Sequence, residues 1–163
     1  VLTDDEIEQH PFLSRLGPDI LDASLSAEAI AERLLLPRFS GRSFGSLYLD
    51  QCFLAGNGNY LRSEILWCAE IDPAARPRDL APAALSRLAE TTLQIAGRSY
   101  RTGGITVPRE LVRKLKARGL GYEKYRFHAY GRNGKPCYRC ETAIERRTLG
   151  SRGLFVCPTC QDT

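Results

Sequence analysis

The sequence predicts a mainly α chain, a helix–two-turn–helix bundle followed by a small β-hairpin held by cysteines. Three observations predict it. Apolar residues recur at helical spacing between Ala27 and Ala96, broken by Pro- and Gly-containing stretches. In L-A-G-N-G-N-Y-L-R-S-E-I-L-W, Gly56 and Gly58 stand directly before a new helical pattern. Cys137-x2-Cys140 and Cys157-x2-Cys160 are separated by sixteen residues, enough for a hairpin that folds one thiol pair over the other.

Taken in order, Thr3-Asp4-Asp5-Glu6 has the form of a capping box, but Pro11 allows only a short helical piece. A helix is predicted from Ala27 to Leu36, capped by Ser24 or Ser26 and stopped by Pro37, with Ile30 and Leu34 facing inward. A second helical piece covers Phe44 to Asp50. After the two-glycine turn, a helix beginning at Asn59 runs through Leu61, Ile65 and Cys68. The first N–H groups of a helix have no partner within it, so with the Asn59 amide they form a seat for phosphate; a tight turn with an ordinary cap is the alternative. Pro73 to Pro82 is a connector, and Pro82 suits the first position of the next helix. In that helix Leu85, Leu88, Ala89, Thr92, Leu93 and Ala96 share the core face. Beyond Gly103-Gly104 a short basic helix is expected from Pro108 to Arg118. The following Y-E-K-Y-R-F-H-A-Y has strand-like spacing, and Arg126, His128, Arg132 and Lys135 are candidate phosphate contacts.

The net charge of +4 hides an asymmetry. Val1 to Gly97 carries 8 Lys or Arg against 14 Asp or Glu, whereas Arg98 to Arg152 carries 15 against 4. Clustered cations in the half that holds the cysteines point to a polyanion, most simply nucleic acid; a solvated basic face is the bland alternative. No segment has the length and apolarity of a membrane span or the form of a secretory signal. The chain starts at Val1 and contains no Met, as the remainder of a longer polypeptide would.

Four thiolates at this spacing suit one closed tetrahedral Zn²⁺ with a structural job, because no coordination position is left for water. A redox pair or an iron site is the alternative that spacing leaves open. The metal supplies folding energy to a segment too short to bury its own core. Ala143 and Ile144 are placed on the first arm of the hairpin, Leu154 and Phe155 on the second. Arg152 stands at its tip, where a guanidinium fork can grip one phosphate through two hydrogen bonds. Cys52 and Cys68 lie in apolar surroundings and read as buried free thiols, consistent with a reducing compartment.

Catalytic machinery is not legible. His10 and His128 are the only imidazoles and lie far apart, and G-x-S-x-G, H-E-x-x-H and P-loop patterns are missing. The lysines at 114, 116 and 124 lie in a basic, wet stretch where a lysine amine is not activated by desolvation. The chain reads as a holder of substrate.

Gly56-x-Gly58-Asn59-Tyr60 opening a helix, then Tyr130-Gly131-Arg132-x-Gly134-x-Pro136-Cys137-x2-Cys140 and Arg152-x4-Cys157-Pro158-x-Cys160-Gln161, resembles the C-terminal half of the bacterial Fpg/Nei DNA glycosylases over essentially the whole chain. The opening and the G-G-I-T-V-P segment look more like the endonuclease VIII side, which favours oxidised pyrimidines. The resemblance implies a helix–two-turn–helix DNA-binding domain (1–102), a basic connecting segment (103–130) and a four-cysteine zinc finger (131–163). It implies that Asn59 and Arg152 bind phosphates flanking the damaged nucleotide, that Cys137, Cys140, Cys157 and Cys160 hold one structural Zn²⁺, and that Glu64 and Gln161 match family positions. The implied parent is a bifunctional glycosylase/AP lyase of base excision repair. It would act as a monomer, without a membrane, in the bacterial cytoplasm at the nucleoid, on double-stranded DNA with a damaged base or abasic site.

Its nucleophile is the amine of an N-terminal proline in a β-rich domain; Val1 does not match it, so the chain alone is expected to be inactive and to lack that catalytic domain. Glu141 stands where the family generally has glycine, and Gly45 where many relatives carry lysine. The competing readings are a non-enzymatic zinc-containing nucleic-acid-binding module and a protein-interaction adaptor.

Overall fold

The computed structural model describes residues 10, 13–149 and 152–161; the Thr3–Glu6 capping box falls outside them. Among the described residues, seven α-helices precede one antiparallel hairpin. Helix α1 (Ala27–Leu34) is capped by Ser26, whose side chain accepts from the Ala29 N–H. It stops two residues earlier than expected. Pro37 does not merely end it but opens a further short helix, α2 (Pro37–Ser40), because the missing proline N–H costs nothing at a helix start. Helix α3 (Phe44–Leu47) is also shorter than expected. Asp50 turns the chain away, its carboxylate accepting from the Cys52 N–H at 2.8 Å and pairing with Arg42.

Helix α4 (Asn59–Cys68) is the central element: Leu61 to Trp67 are all buried, including Arg62, Ser63 and Glu64. It packs between α5 (Pro82–Arg101) on one side and the hairpin on the other. α5 also packs on α1, and their apolar faces, with Phe44, Leu47, Tyr48, Phe53 and Leu54, build the main core. Leu85, Leu88, Ala89, Thr92 and Ala96 face it as predicted, while Leu93 is only partly covered.

Helix α6 (Arg109–Ala117) confirms the short basic helix. The strand expected after it is absent. Tyr122–Tyr125 is a helical turn, α7, and beyond it Phe127, His128 and Ala129 are buried in succession because the N–H groups of His128, Ala129 and Tyr130 all donate to the Glu64 carboxylate, not to a neighbouring strand.

The hairpin consists of β1 (Glu145–Leu149) and β2 (Arg152–Val156), with Leu149 opposite Arg152 and Glu145 opposite Val156. Leu154 and Phe155 lie on its second arm as expected. Ala143 and Ile144 fall just before the first, bridged to the approaching chain by Pro136–Ala143 pairing and by the Ile144 N–H donating to the Lys135 carbonyl at 2.8 Å. A second, small core of Trp67, Ala129, Cys137, Ile144 and Cys157 lies beneath the hairpin base.

Candidate nucleic-acid interface and metal centre

The four finger cysteines converge, with all Sγ atoms within 4.8 Å of one another. Individual separations are 3.9 Å for Cys137–Cys160 and 3.4 Å for both Cys140–Cys157 and Cys140–Cys160. Four thiolates about 2.3 Å from a tetrahedral zinc would stand roughly 3.8 Å apart, so the donor set fits the ion. The N–H groups of Arg139 and Cys160 point at the Cys137 and Cys157 sulfurs over 3.5 and 3.4 Å, as expected around thiolates. Glu141, after the second ligand, is forced to φ 63°, a left-handed conformation that favours glycine.

Several side chains fasten this module to α4. Arg139 donates to the Trp67 and Cys68 carbonyls at 3.0 Å each, capping the helix C-terminus, and its guanidinium lies 4.1 Å from the Trp67 ring centroid. Gln161 bonds both ways: its Oε1 accepts from the Cys157 N–H at 2.8 Å and its Nε2 donates to the Ile71 carbonyl at 3.0 Å. Glu64, fully buried, accepts from the Thr106 hydroxyl, the three N–H groups named above and His128 Nδ1 at 3.0 Å. Burial pushes this carboxyl up, but the bonds from His128, Thr106 and Tyr130 and the His128 charge together outweigh it and hold the group below its ordinary range.

His128 therefore does not face phosphate; it is buried and stacked on Trp67 at 4.6 Å. Arg126 and Arg132 are also engaged, Arg126 with the Gly104 carbonyl and Glu123, Arg132 with the carbonyls of His128 and Pro136. Cys52 and Cys68 are free thiols but only half-buried. Cys68 lies 3.7 Å from His128 Nδ1, and burial pushes its thiol up to about 12, so it is no thiolate nucleophile.

At the opposite end of α4, Gly58 is the N-cap residue and Asn59 the first helical one. The first intrahelical bond runs from the Arg62 N–H to the Gly58 carbonyl (3.0 Å), leaving the Asn59, Tyr60 and Leu61 N–H groups unpaired by the helix. Gln51 holds the preceding turn: its Oε1 accepts from the Gly56 N–H at 2.9 Å and its Nε2 donates to the Asn57 carbonyl at 3.0 Å. Gly56 has φ +83°, which explains the glycine. A cleft of about 490 Å³ opens here, lined by Leu49, Gln51, Gly56, Asn57, Gly58 and Arg152. The buried Asn57 Oδ1 has no partner among the described residues.

Arg152, 93 positions after Asn59, thus borders the same cleft as the α4 N-terminus. Buried Arg62 makes this possible. Its guanidinium donates to the Gly45 carbonyl (2.8 Å), to Asn59 Oδ1 (2.5 Å) and to the Gly153 carbonyl (3.2 Å), binding helix, turn and hairpin together. Burial, then repulsion from Arg152, lowers the Arg62 guanidinium to about 10. Sequence reading missed Arg62 and left Glu64 without a contact; a cation and a carboxylate inside an otherwise apolar helix were the available signal.

Gly45 is filled from outside. A Cβ there would collide with the Leu149 side chain and lie 3.3 Å from Pro73, so the space a side chain would take is occupied by the hairpin itself.

The fold and the four-thiolate centre are similar to those of the C-terminal part of Fpg and endonuclease 8 proteins. Residues 134–163 match a zinc finger found in FPG and IleRS. By sequence the chain is similar to endonuclease 8 proteins. It is 45% identical over 161 residues to the endonuclease 8 proteins of Escherichia coli and Salmonella arizonae, covering 99% of this chain and 58% of each relative, in their C-terminal part. Among solved structures it superposes on Lactococcus lactis Fpg in complex with abasic-site DNA at a TM-score of 0.77, with 23% identity over 99% of this chain and 57% of that one. Thermus thermophilus MutM (Fpg) gives 0.77 with 31% identity, over 96% and 57%. The chain therefore spans less than two thirds of the length of the relatives it matches. Among the described residues no helix is long and apolar enough to cross a membrane.

Proposed function

We propose that this chain is the damaged-DNA-gripping half of a bifunctional DNA glycosylase/AP lyase of base excision repair, and that the reacting amine lies in a separate β-rich domain. The observation that carries the reading is the convergence of Arg152 and the Asn59-led end of α4 on one cleft. Three unpaired N–H groups, a partial positive helix end and a guanidinium are the donors that a pair of adjacent backbone phosphates requires. Everting a base costs a few kcal/mol of unstacking, and clamps on both sides of the kink offset that cost. The zinc is structural: it holds the hairpin so that Arg152 stays beside the helix end.

The proposed substrate is double-stranded DNA with an abasic site or an oxidised base, and the proposed base class is pyrimidine. Nearer similarity to endonuclease 8 than to the Fpg structures supports that choice. The units proposed are a DNA-binding domain over 1–102, a basic connector over 103–130 and the finger over 131–163, in a monomer acting at the bacterial nucleoid.

Binding of the chain to a duplex with one abasic site, compared with an undamaged duplex of the same sequence, tests the reading. Preference for the abasic duplex without borohydride trapping supports it, and trapping should appear only when the chain is joined to a domain beginning with proline. Equal binding to both duplexes favours a general nucleic-acid module, and absence of binding at about 0.15 M salt favours the adaptor.

A further inference from the structure

We infer that the hollow between α6, α7 and the approach to the first cysteine pair is a docking site for an acidic peptide segment bearing an apolar side chain. The hollow has a volume of about 370 Å³ and shares no lining residue with the cleft beside Arg152. The two lie toward opposite ends of α4. Arg152 borders the N-terminal cleft, whereas Tyr138, which lines the hollow, precedes the Arg139 that caps the helix C-terminus.

Its floor is apolar, made by buried Leu115 with Leu120 and the Tyr138 ring. Its rim is cationic: Arg118, Lys124 and Lys135 are exposed and, among the described residues, make no ion pair or side-chain hydrogen bond. Arg132 closes one wall. Its guanidinium is 3.6 Å from the Tyr138 ring centroid and donates to the carbonyls of His128 and Pro136, so its position is set before any ligand arrives. The single acid on the rim, Glu123, already pairs with Arg126 at 3.1 Å and leaves the field positive.

Charge complementarity selects an anion and the floor selects an apolar group beside it. Duplex DNA presents its phosphates on a convex cylinder with no projecting apolar side chain, so it would meet the rim and leave the floor empty. A peptide with carboxylates flanking a leucine-sized residue fills both. This site shares no residue with the cleft beside Arg152, although two of its residues, Arg132 and Lys135, are among the phosphate contacts the sequence suggests.

The test uses the whole chain and a fluorescein-labelled peptide, Glu-Asp-Glu-Leu-Asp-Leu-Glu-Asp, read by anisotropy at about 0.1 M salt. The charge-reversed pair Lys124→Glu with Lys135→Glu is compared with an equal charge change on the exposed face of α6, Arg109→Glu with Arg113→Glu. The inference expects the rim pair to lose about tenfold or more in affinity and the α6 pair to lose about twofold or less. It also expects the same peptide with serine for leucine to bind about tenfold more weakly. Unaltered helical circular dichroism and zinc content confirm that both variants fold. Equal loss in the two variants, equal binding of the serine peptide, or no binding of the leucine peptide overturns the proposal. So does a rim pair that loses labelled duplex or single-stranded DNA as strongly as peptide, which would make the hollow a nucleic-acid groove.

Discussion

Asn59 Nδ2 donates to the Gly153 carbonyl over 3.0 Å, so the first residue of α4 is bonded to the residue after Arg152. A helix end and a hairpin arm 94 positions apart are locked by this bond and by Arg62, which reaches Asn59 and Gly153 at once. The backbone position at Arg152 is thus held from inside the protein. Replacing Arg62 by Ala leaves the Gly45 carbonyl and Asn59 Oδ1 without their donor, while the Gly153 carbonyl keeps the one from Asn59, and should cost about 3 kcal/mol of stability. Urea unfolding followed by circular dichroism measures it; a loss below about 0.5 kcal/mol would show that the lock is dispensable.

Glu64 should make the chain acid-sensitive. Its carboxyl is held below the ordinary 4.5, so its stabilisation is fully present above that value and is lost as pH falls through the lower folded-state value. In Glu64→Gln an amide N–H faces donors, either at Thr106 and His128 or at Ala129 and Tyr130, and the expected cost near neutrality is about 3 kcal/mol. The variant should also have a flatter stability profile below about pH 4.5. Urea titrations across that range check both statements.

Chelation should separate the two cores. Trp67, the sole tryptophan, sits in the small core under Arg139 and against His128, while α1, α4 and α5 meet in the main one. Removing zinc, or making Cys157→Ser, should shift the tryptophan emission to the red and abolish tight binding of abasic duplex, while most helical circular dichroism persists. Simultaneous loss of all helix signal would mean that the bundle depends on the finger.

Glu141→Gly relieves a left-handed non-glycine conformation at φ 63°. Strain of about 1–2 kcal/mol is offset in part by glycine's greater unfolded-state freedom, and a net gain of up to about 1 kcal/mol is expected. A lower melting temperature in the glycine variant would show that the conformation is not a burden.

The cysteine quartet and the two-glycine turn were legible because each depends on local chemistry: a metal needs a fixed set of sulfurs, and Gly56 a left-handed backbone. Core positions of α5 were legible from their period. What escaped was non-local. Tyr122–Tyr130 alternates as a strand would, yet three of its N–H groups end on one buried carboxylate more than 60 positions earlier. His128, read as a surface contact, serves the same carboxylate. Pro37 carried a true signal of a helix boundary whose direction sequence could not fix, since proline both ends and begins helices. Gly45 kept its meaning hidden until Leu149 was seen to fill the space beside it.

The salt dependence of abasic-duplex affinity for the Arg152→Ala variant tests the central claim most directly. If Arg152 grips a backbone phosphate, affinity falls by about tenfold or more and the slope of log affinity against log salt shrinks by about 0.9, one phosphate's share. The same affinity and the same slope as the unaltered chain would contradict it.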